Sequence, residues 1–378
     1  MHVEWLIHHL CFDENFSSAE IDIDLHDADV WDRLIRSLTR SIGLEELKIT
    51  RSSDYQVRSD EDLEDLFRAI GSMAQLNRLE LSEFSTLDLS SGRNTFENFL
   101  GVTDLQIDIS EDSTPLSADV ARSIVSIPKL RNISIATPCS FAVSNLFSPS
   151  IESILVEGLS ELTFDDDNFR QFVEDLERDR VRQLSRLDIL CVTIASHQVP
   201  LLANMLKQNS TLVELRLSLS IPNENVVNEC CEEIIDAMSY NTVLQKFDNY
   251  KSRDIKASLA TKKAQNGMLF HNTTLREFGL FGDDAFNDTA QEKNLYLRLN
   301  AAGRKRLLDV GPGSIHDWVE VLCDEGIRDN LPCLFYLLRM NPSLCQSYRY
   351  EQKDGTDETV HQQWDENEET RQRKKICK

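Results

Sequence analysis

Hydrophobic and polar positions alternate in short bursts along this chain, and the bursts recur. The pattern Leu-x-x-Leu-x-Leu, or a close relative, begins at Leu44, Leu76, Val102, Leu130, Ile151, Leu184, Leu212, Leu244 and Leu275. Successive starts lie 32, 26, 28, 21, 33, 28, 32 and 31 residues apart, a period typical of repeat solenoids. Positions four and six of each hexad point inward, while three, five and seven point outward, so each hexad predicts a strand. Between hexads the spacing becomes helical. Asp60 to Leu76 sets Leu63, Leu66, Phe67, Ile70 and Met73 on one face, and Asn168 to Leu184 does the same with Phe169, Phe172, Val173, Leu176 and Val181. Val199 to Lys207 and Val226 to Met238 follow suit. Strand alternating with helix implies parallel strands on one wall and helices on the other.

Three phrases lead into strands in the same way: Leu206-Lys207-Gln208-Asn209-Ser210-Thr211-Leu212, Asn241-Thr242-Val243-Leu244 and Asn272-Thr273-Thr274-Leu275. With the hexads, they make residues 18–282 resemble ribonuclease-inhibitor-like leucine-rich repeat proteins. The resemblance implies an α/β fold: a right-handed leucine-rich repeat solenoid, or horseshoe, with parallel strands on the concave face, helices on the convex face and helical caps. The family's asparagine or cysteine after the hexad is mostly missing, with Ser52, Phe84 and Ser110 in its place, and Asn249 replaces an inward leucine. These departures predict irregular turns and carry over no specific activity.

The expected organisation is an N-terminal cap and first repeat over 1–43, repeats over 44–283, a helical C-terminal cap over 284–346 and a disordered charged tail over 347–378. In the first of these, Trp31, Leu34, Ile35 and Leu38 mark a helix. The second cap carries another resemblance. Asn294 to Arg304, Trp318 to Leu322 and Leu334 to Cys345 look like the segment that follows repeats in a group of uncharacterised microalgal proteins, diatom ones especially.

Outward residues of successive hexads fall into columns about 4.8 Å apart. Wherever two neighbours in the first two columns are both charged, the signs are opposite. The first column pairs Glu46 with Arg78, Arg78 with Asp104, Arg186 with Glu214, Glu214 with Lys246 and Lys246 with Glu277. The second pairs Lys48 with Glu80, Asp188 with Arg216 and Arg216 with Asp248. Such a ladder fixes strand register more than it adds stability. It lapses at repeats four and five, where Asn132, Ser134, Ala136, Ser153 and Leu155 are uncharged. The third column turns apolar late, with Leu190, Tyr250 and Phe281. A partner-binding strip of Leu155, Leu190, Tyr250 and Phe281 is therefore expected, with Glu157 and Asp108 orienting a basic group. If Ser18 to Asp24 forms a further strand, this spacing sets Glu20 against Glu46 and breaks the rule.

Charge narrows the partner class. The 378 residues carry 64 acidic and 40 basic side chains, a net charge of -24, which repels phosphate backbones and argues against nucleic acid. A protein partner of basic character fits better. The nine cysteines are scattered, without a Cys-x-x-Cys, as in a reduced intracellular chain with buried thiols. The first ten residues make a poor signal peptide. No apolar run approaches the roughly 20 residues that span a bilayer. The expectation is a cytoplasmic monomer with no membrane contact. Nuclear entry is the alternative, addressed by the basic end at Arg371, Arg373, Lys374, Lys375 and Lys378.

Catalytic and metal signatures are missing. His8-His9 with Cys11 lacks further ligands of usable spacing. Asp165-Asp166-Asp167 has no EF-hand positions and reads as a helix start. Gly311-Pro312-Gly313-Ser314 lacks the spacing of a phosphate loop. No cofactor or metal is expected, and the sequence predicts a non-enzymatic protein-binding scaffold. The rival functions are regulation of a small GTPase and a ubiquitin-ligase-type substrate adaptor.

Overall fold

A computed structural model describes residues 3–12, 16–23, 28–51, 59–111, 113–137, 143–177, 181–219, 224–250, 255–281 and 288–301. Ten parallel strands form one open sheet in strict chain order. They are β1 (Ser18–Asp22), β2 (Glu46–Thr50), β3 (Arg78–Phe84), β4 (Asp104–Ile109), β5 (Asn132–Thr137), β6 (Ser153–Thr163), β7 (Arg186–Ile194), β8 (Glu214–Leu219), β9 (Lys246–Asn249) and β10 (Glu277–Gly279). Parallel neighbours require a crossover, and helices supply most of them. In chain order they are α1 (Val3–Phe12), α2 (Ala28–Arg40), α3 (Asp60–Gly71), α4 (Thr86–Gly92), α5 (Ala118–Val125), α6 (Asp166–Glu177), α7 (Val199–Gln208), α8 (Glu224–Tyr240), α9 (Leu259–His271) and α10 (Asp288–Ala301). This is the leucine-rich repeat solenoid that the hexads predict. Strands stack about 4.8 Å apart whereas packed helices need about 8–10 Å, so the strand wall lies on the inside of the curve.

The chain divides into two compact units, Met1–Ala290 and Gln291–Lys378. The solenoid is the first. In the second, the described residues are the later turns of α10, where Tyr296 and Leu299 are buried. The remaining cap helices and the charged tail expected from the sequence lie outside the described residues, as does Gly311 to Ser314. So do Trp318 to Leu322 and Leu334 to Cys345, which carry much of the second resemblance.

Between the walls lies an aliphatic core. The inward hexad residues Leu47, Ile49, Leu79, Leu81, Leu105, Ile107, Ile133, Ile135, Leu215 and Leu217 are buried, each contributing roughly 1.5–3 kcal/mol. The back wall varies with repeat length. The 21-residue step from Leu130 to Ile151 is too short for a full helix, and a 3-10 turn at Val143–Leu146 takes its place. Phe84, which stands where the family's asparagine is absent, is fully buried with its ring centroid 6.2 Å from that of Phe67. Phe67 in turn packs edge-on to Phe96 at 5.5 Å. Gly92 faces the same ring, and a Cβ there would penetrate it. The strand bends at this point: register shifts between Ser82 and Phe84, and Glu83 takes the left-handed backbone conformation at φ 64°.

Two devices close the backbone between repeats. At strand entry, one carbonyl of the preceding repeat accepts two successive N–H groups: Glu45 O from Asn77 and Arg78, Thr103 O from Arg131 and Asn132, and Val213 O from Gln245 and Lys246. The second device serves the first N–H of the hexad. In early repeats it donates to a backbone carbonyl three residues back, Leu76 to Met73 (3.2 Å), Leu130 to Ile127 (3.3 Å) and Leu184 to Val181 (3.0 Å). In late repeats a buried asparagine replaces that carbonyl. Asn209 Oδ1 accepts from Leu212 N at 2.8 Å, Asn241 Oδ1 from Leu244 N at 2.8 Å and Asn272 Oδ1 from Leu275 N at 3.0 Å. Each amide also reaches back one repeat: Asn241 Nδ2 donates to Leu206 O at 2.7 Å and Asn209 O at 3.2 Å, and Asn272 Nδ2 to Met238 O at 2.7 Å and Asn241 O at 3.0 Å. Asn249, the polar residue at an inward position, works likewise. It accepts from Leu219 N at 2.9 Å and donates to Leu280 O at 3.1 Å.

Asn241→Ala removes this amide while its partners Leu206 O, Asn209 O and Leu244 N stay buried. Each orphaned backbone group costs about 1–3 kcal/mol, so an overall loss of about 2–4 kcal/mol is expected, with a lower urea midpoint. A midpoint indistinguishable from wild type would show that the amide is dispensable. Cys231 on α8 is buried, and burial pushes its thiol up to about 12. At pH 8 about one molecule in ten thousand carries the thiolate. Mass spectrometry is expected to find Cys231 alkylated by iodoacetamide only after unfolding. Rapid labelling of the folded chain at that position would contradict the placement.

Candidate functional site

The outward face of the sheet was the surface expected to bind. Its charges are in register: all eight opposite-sign neighbours are Cα partners on adjacent strands. Four of them close into ion pairs. Lys48 Nζ meets Glu80 Oε1 at 2.9 Å, Arg186 Nε meets Glu214 Oε2 at 3.7 Å, Arg216 Nη1 meets Asp188 Oδ2 at 3.9 Å, and Lys246 meets Glu277. The Glu80 carboxylate holds the Lys48 ammonium above its ordinary range, and Asp188 does the same for Arg186.

The first strand pairs differently from the expectation. Ser18 lies against Glu46 and Glu20 against Lys48, two residues out of the predicted register. Glu20 Oε1 is 3.8 Å from Lys48 Nζ, so the alternation of sign extends one strand further. Ala19 and Ile21 align with Leu47 and Ile49 and share their burial. A slip of two residues keeps the same face inward, so the opposition of Glu20 and Lys48 is what distinguishes this register from the expected one.

Asp188 is the exception in depth. It is buried although it belongs to an outward column. Its Oδ2 accepts from Arg186 Nη2 at 2.8 Å, while Oδ1 and the neighbouring Arg216 Nε have no hydrogen-bond partner. Asp248 stays on the face, and its carboxylate occupies the space that a Cβ on Gly279 would need.

The apolar strip is not continuous. Leu155 is half-buried in the second column between Ser134 and Asp188, and Leu190 is half-buried beside exposed Glu157. The ladder between β7 and β8 then shifts after Asp188 and resumes at Thr193 against Ser218, which is buried. Tyr250 follows β9 in a turn, its N–H donating to Leu217 O at 2.8 Å, and the residue is 64% exposed. Phe281 is 2% exposed and belongs to the core, so it is not a surface anchor. It follows β10 after Leu280, where the strand ladder has ended and outward alternation no longer applies. Asp108 accepts from Ser82 Oγ at 3.2 Å and Gln106 Nε2 at 3.4 Å, on the downstream border of the face.

At the lapse in the ladder the sheet carries two adjoining concavities of about 310 and 550 Å³ that share Asp104 and Asn132. Arg78 and Arg186 flank the first, with Ser134, Ser153 and Leu155 on its floor. The second extends over the strand-entry loops to Lys129, Arg131 and Glu152. No group of His, Cys, Asp or Glu among the described residues could hold a metal ion.

No protein-family model matches the sequence, and a search of curated proteins gives no match. Solved structures of similar shape include the Rad7–Elc1 complex of yeast, at 11% identity over 76% of this chain and 76% of that one, TM-score 0.39. The tropomodulin C-terminal domain of Caenorhabditis elegans is 16% identical over 47% of this chain and 93% of that one, TM-score 0.32. The TLR13–ssRNA13 complex is 14% identical over 66% of this chain and 34% of that one, TM-score 0.38.

Sequence reasoning assigned Arg78 to the ladder, between Glu46 and Asp104. Among the described residues neither acid closes an ion pair with it. Asp104 is engaged elsewhere: Oδ1 accepts from Asn132 Nδ2 at 2.6 Å and Oδ2 from Thr103 Oγ1 at 2.6 Å. The signal was present in the sequence, because Thr103 precedes Asp104 and Asn132 follows it one strand later in the same column. Lys129 and Arg131 were missed because they sit in entry loops, outside the outward columns.

Lys48 tests the ladder. Lys48→Glu sets three acids side by side on β1, β2 and β3, and a loss of about 1 kcal/mol is expected. Adding Glu80→Lys restores alternation between β2 and β3 and should recover much of that loss in a thermal-melting double-mutant cycle. Strict additivity of the two changes would mean that the charges do not interact.

Proposed function

We propose that this chain is a non-enzymatic scaffold that binds a protein partner through the strand wall, centred on β4 to β7. The observation that carries this reading is the lapse in the charge ladder. Over most of the sheet, outward charges face a neighbour of opposite sign, which leaves few free valences for another molecule. At β5 and β6 the outward residues Asn132, Ser134, Ala136, Ser153 and Leu155 have no charge to balance, and the face is concave there. Leu155 and Leu190 offer apolar contact on a rigid sheet, and Asp108 and Glu157 line the downstream border for a basic group. Tyr250, mostly exposed and held by its backbone, extends the contact toward the late repeats.

Rigidity supports the reading. A partner that docks on paired strands orders little of the scaffold, so less of the interaction is lost to entropy. Site-specific photo-crosslinking tests the proposal. A benzophenone side chain at Ser134, on the wall, is expected to capture a discrete partner band from native extract. The same group at Asp119, exposed on α5, is expected to capture none. Equal capture from both positions, or capture from Asp119 alone, would move the binding face off the sheet.

A further inference from the structure

We infer that the groove at the lapse takes an extended acidic peptide segment of the partner. This rests on the reading of the strand wall as the binding face and adds the chemistry of what lies there. The first observation is a local inversion of charge. In a chain of net charge -24, the residues lining the two joined concavities include Arg78, Lys129, Arg131 and Arg186 against only Asp104 and Glu152. Screening limits distant charges to about 8 Å at physiological ionic strength, so a segment inside the groove meets chiefly Arg78, Lys129 and Arg131, while Arg186, still 45% exposed, is partly offset by Asp188 and Glu214.

The second observation is free valence. Arg131 is partnered by Glu152 at 3.3 Å and Arg186 by Asp188 at 2.8 Å. Arg78 and Lys129 are exposed, and among the described residues neither has an ion pair. Asp104, the acid nearest Arg78 in the groove, is held by Thr103 and Asn132. A guanidinium without a partner presents a fork of donors that fits a carboxylate in two-point contact.

Spacing defines the ligand. Arg78 on β3 and Arg186 on β7 are four strand steps apart, about 19 Å along the face. An extended chain covers about 3.3–3.6 Å per residue, so carboxylates five or six residues apart reach both arginines. The floor between them is Asn132, Ser134, Ser153 and Leu155, small or uncharged groups that admit a backbone. A polynucleotide is disfavoured, because its closely spaced phosphates continue past the groove onto acidic surface.

The test is fluorescence anisotropy with the full chain. The probe is a labelled Gly/Ser peptide of about twelve residues with two glutamate pairs centred five or six positions apart. Saturable binding is expected, weakened tenfold or more when glutamine replaces glutamate. The same loss is expected in Arg78→Glu and Lys129→Glu, two exposed positions whose fold is checked by circular dichroism. Equal affinity for the glutamine peptide, indifference to both charge reversals, or no binding at all would overturn the inference. So would preferential binding of a single-stranded oligonucleotide through the same two residues. None of these results touches the wall itself: crosslinking from Ser134 would persist if only the acidic ligand were wrong, and would vanish if the binding face were wrong.

Discussion

The structure depends on closing the backbone between one repeat and the next. A solenoid unit has no hydrophobic core of its own and exposes polar groups on both flanks until a neighbour covers them. The entry carbonyls meet this need along the strand edge by accepting twice, as Glu45, Thr103 and Val213 do. The remaining gap is the first N–H of each hexad, buried beside an apolar core where an unpaired donor is costly. Early repeats close it with their own backbone, leaving Met73, Ile127 and Val181 free to bury apolar side chains at the position three residues before the hexad. Late repeats put Asn209, Asn241 and Asn272 there, and the same bond comes from a side chain that also ties back to the previous repeat. One requirement thus has two solutions, a backbone carbonyl at Leu76, Leu130, Ile151 and Leu184 and an asparagine side chain at Leu212, Leu244 and Leu275.

That closure makes the register exact enough for charges to matter. Strands held at fixed height place outward residues in columns, and like charges in a column would repel at every contact. The pairing of Glu20 with Lys48 shows how the two constraints combine. Burial of Ala19 and Ile21 selects the inward face, and within that face the opposition of Glu20 and Lys48 distinguishes this register from one two residues away. Asp188 departs from its column in depth. Buried below the face, it accepts from Arg186 at 2.8 Å and lies 3.9 Å from Arg216 Nη1, and one of its own oxygens is unpaired.

The repeats were legible in the sequence because their signal is redundant. Nine hexads with buried fourth and sixth positions leave little freedom in which face of each strand is inside. The helix faces on α3 and α6 were legible for the same reason, with Leu63, Leu66, Phe169 and Phe172 at helical spacing and buried. What was not legible depends on single contacts. Phe84 looked like a missing asparagine and is an aromatic packed on Phe67. Asn249 looked like a defect in the core and is a bridge between the backbones of Leu219 and Leu280. Phe281 and Tyr250 both extend the third column on paper, yet one is core and one is surface, because neither stands within a strand of the ladder. The candidate site was half visible: the uncharged floor could be read from the columns, but the cations around it could not. Arg78 had two acids beside it in the sequence, and only side-chain geometry shows that Asp104 is occupied by Thr103 and Asn132.

The place where the ladder fails coincides with the place where the repeat is shortest. The step from Leu130 to Ile151 leaves room on the back wall only for the turn at Val143–Leu146, and the strands on either side of that turn, β5 and β6, are the ones whose outward residues in the first two columns are uncharged. The two facts share no residues, so one does not force the other. They have a common consequence. Long repeats bring a helix and a charged strand, and their outward surfaces are already satisfied. The short repeat brings neither, and its strand wall presents small side chains beside Arg78 and Lys129, which close no ion pair among the described residues. In a molecule of net charge -24, an interaction site is easier to make by removing charge from one repeat than by adding it to many.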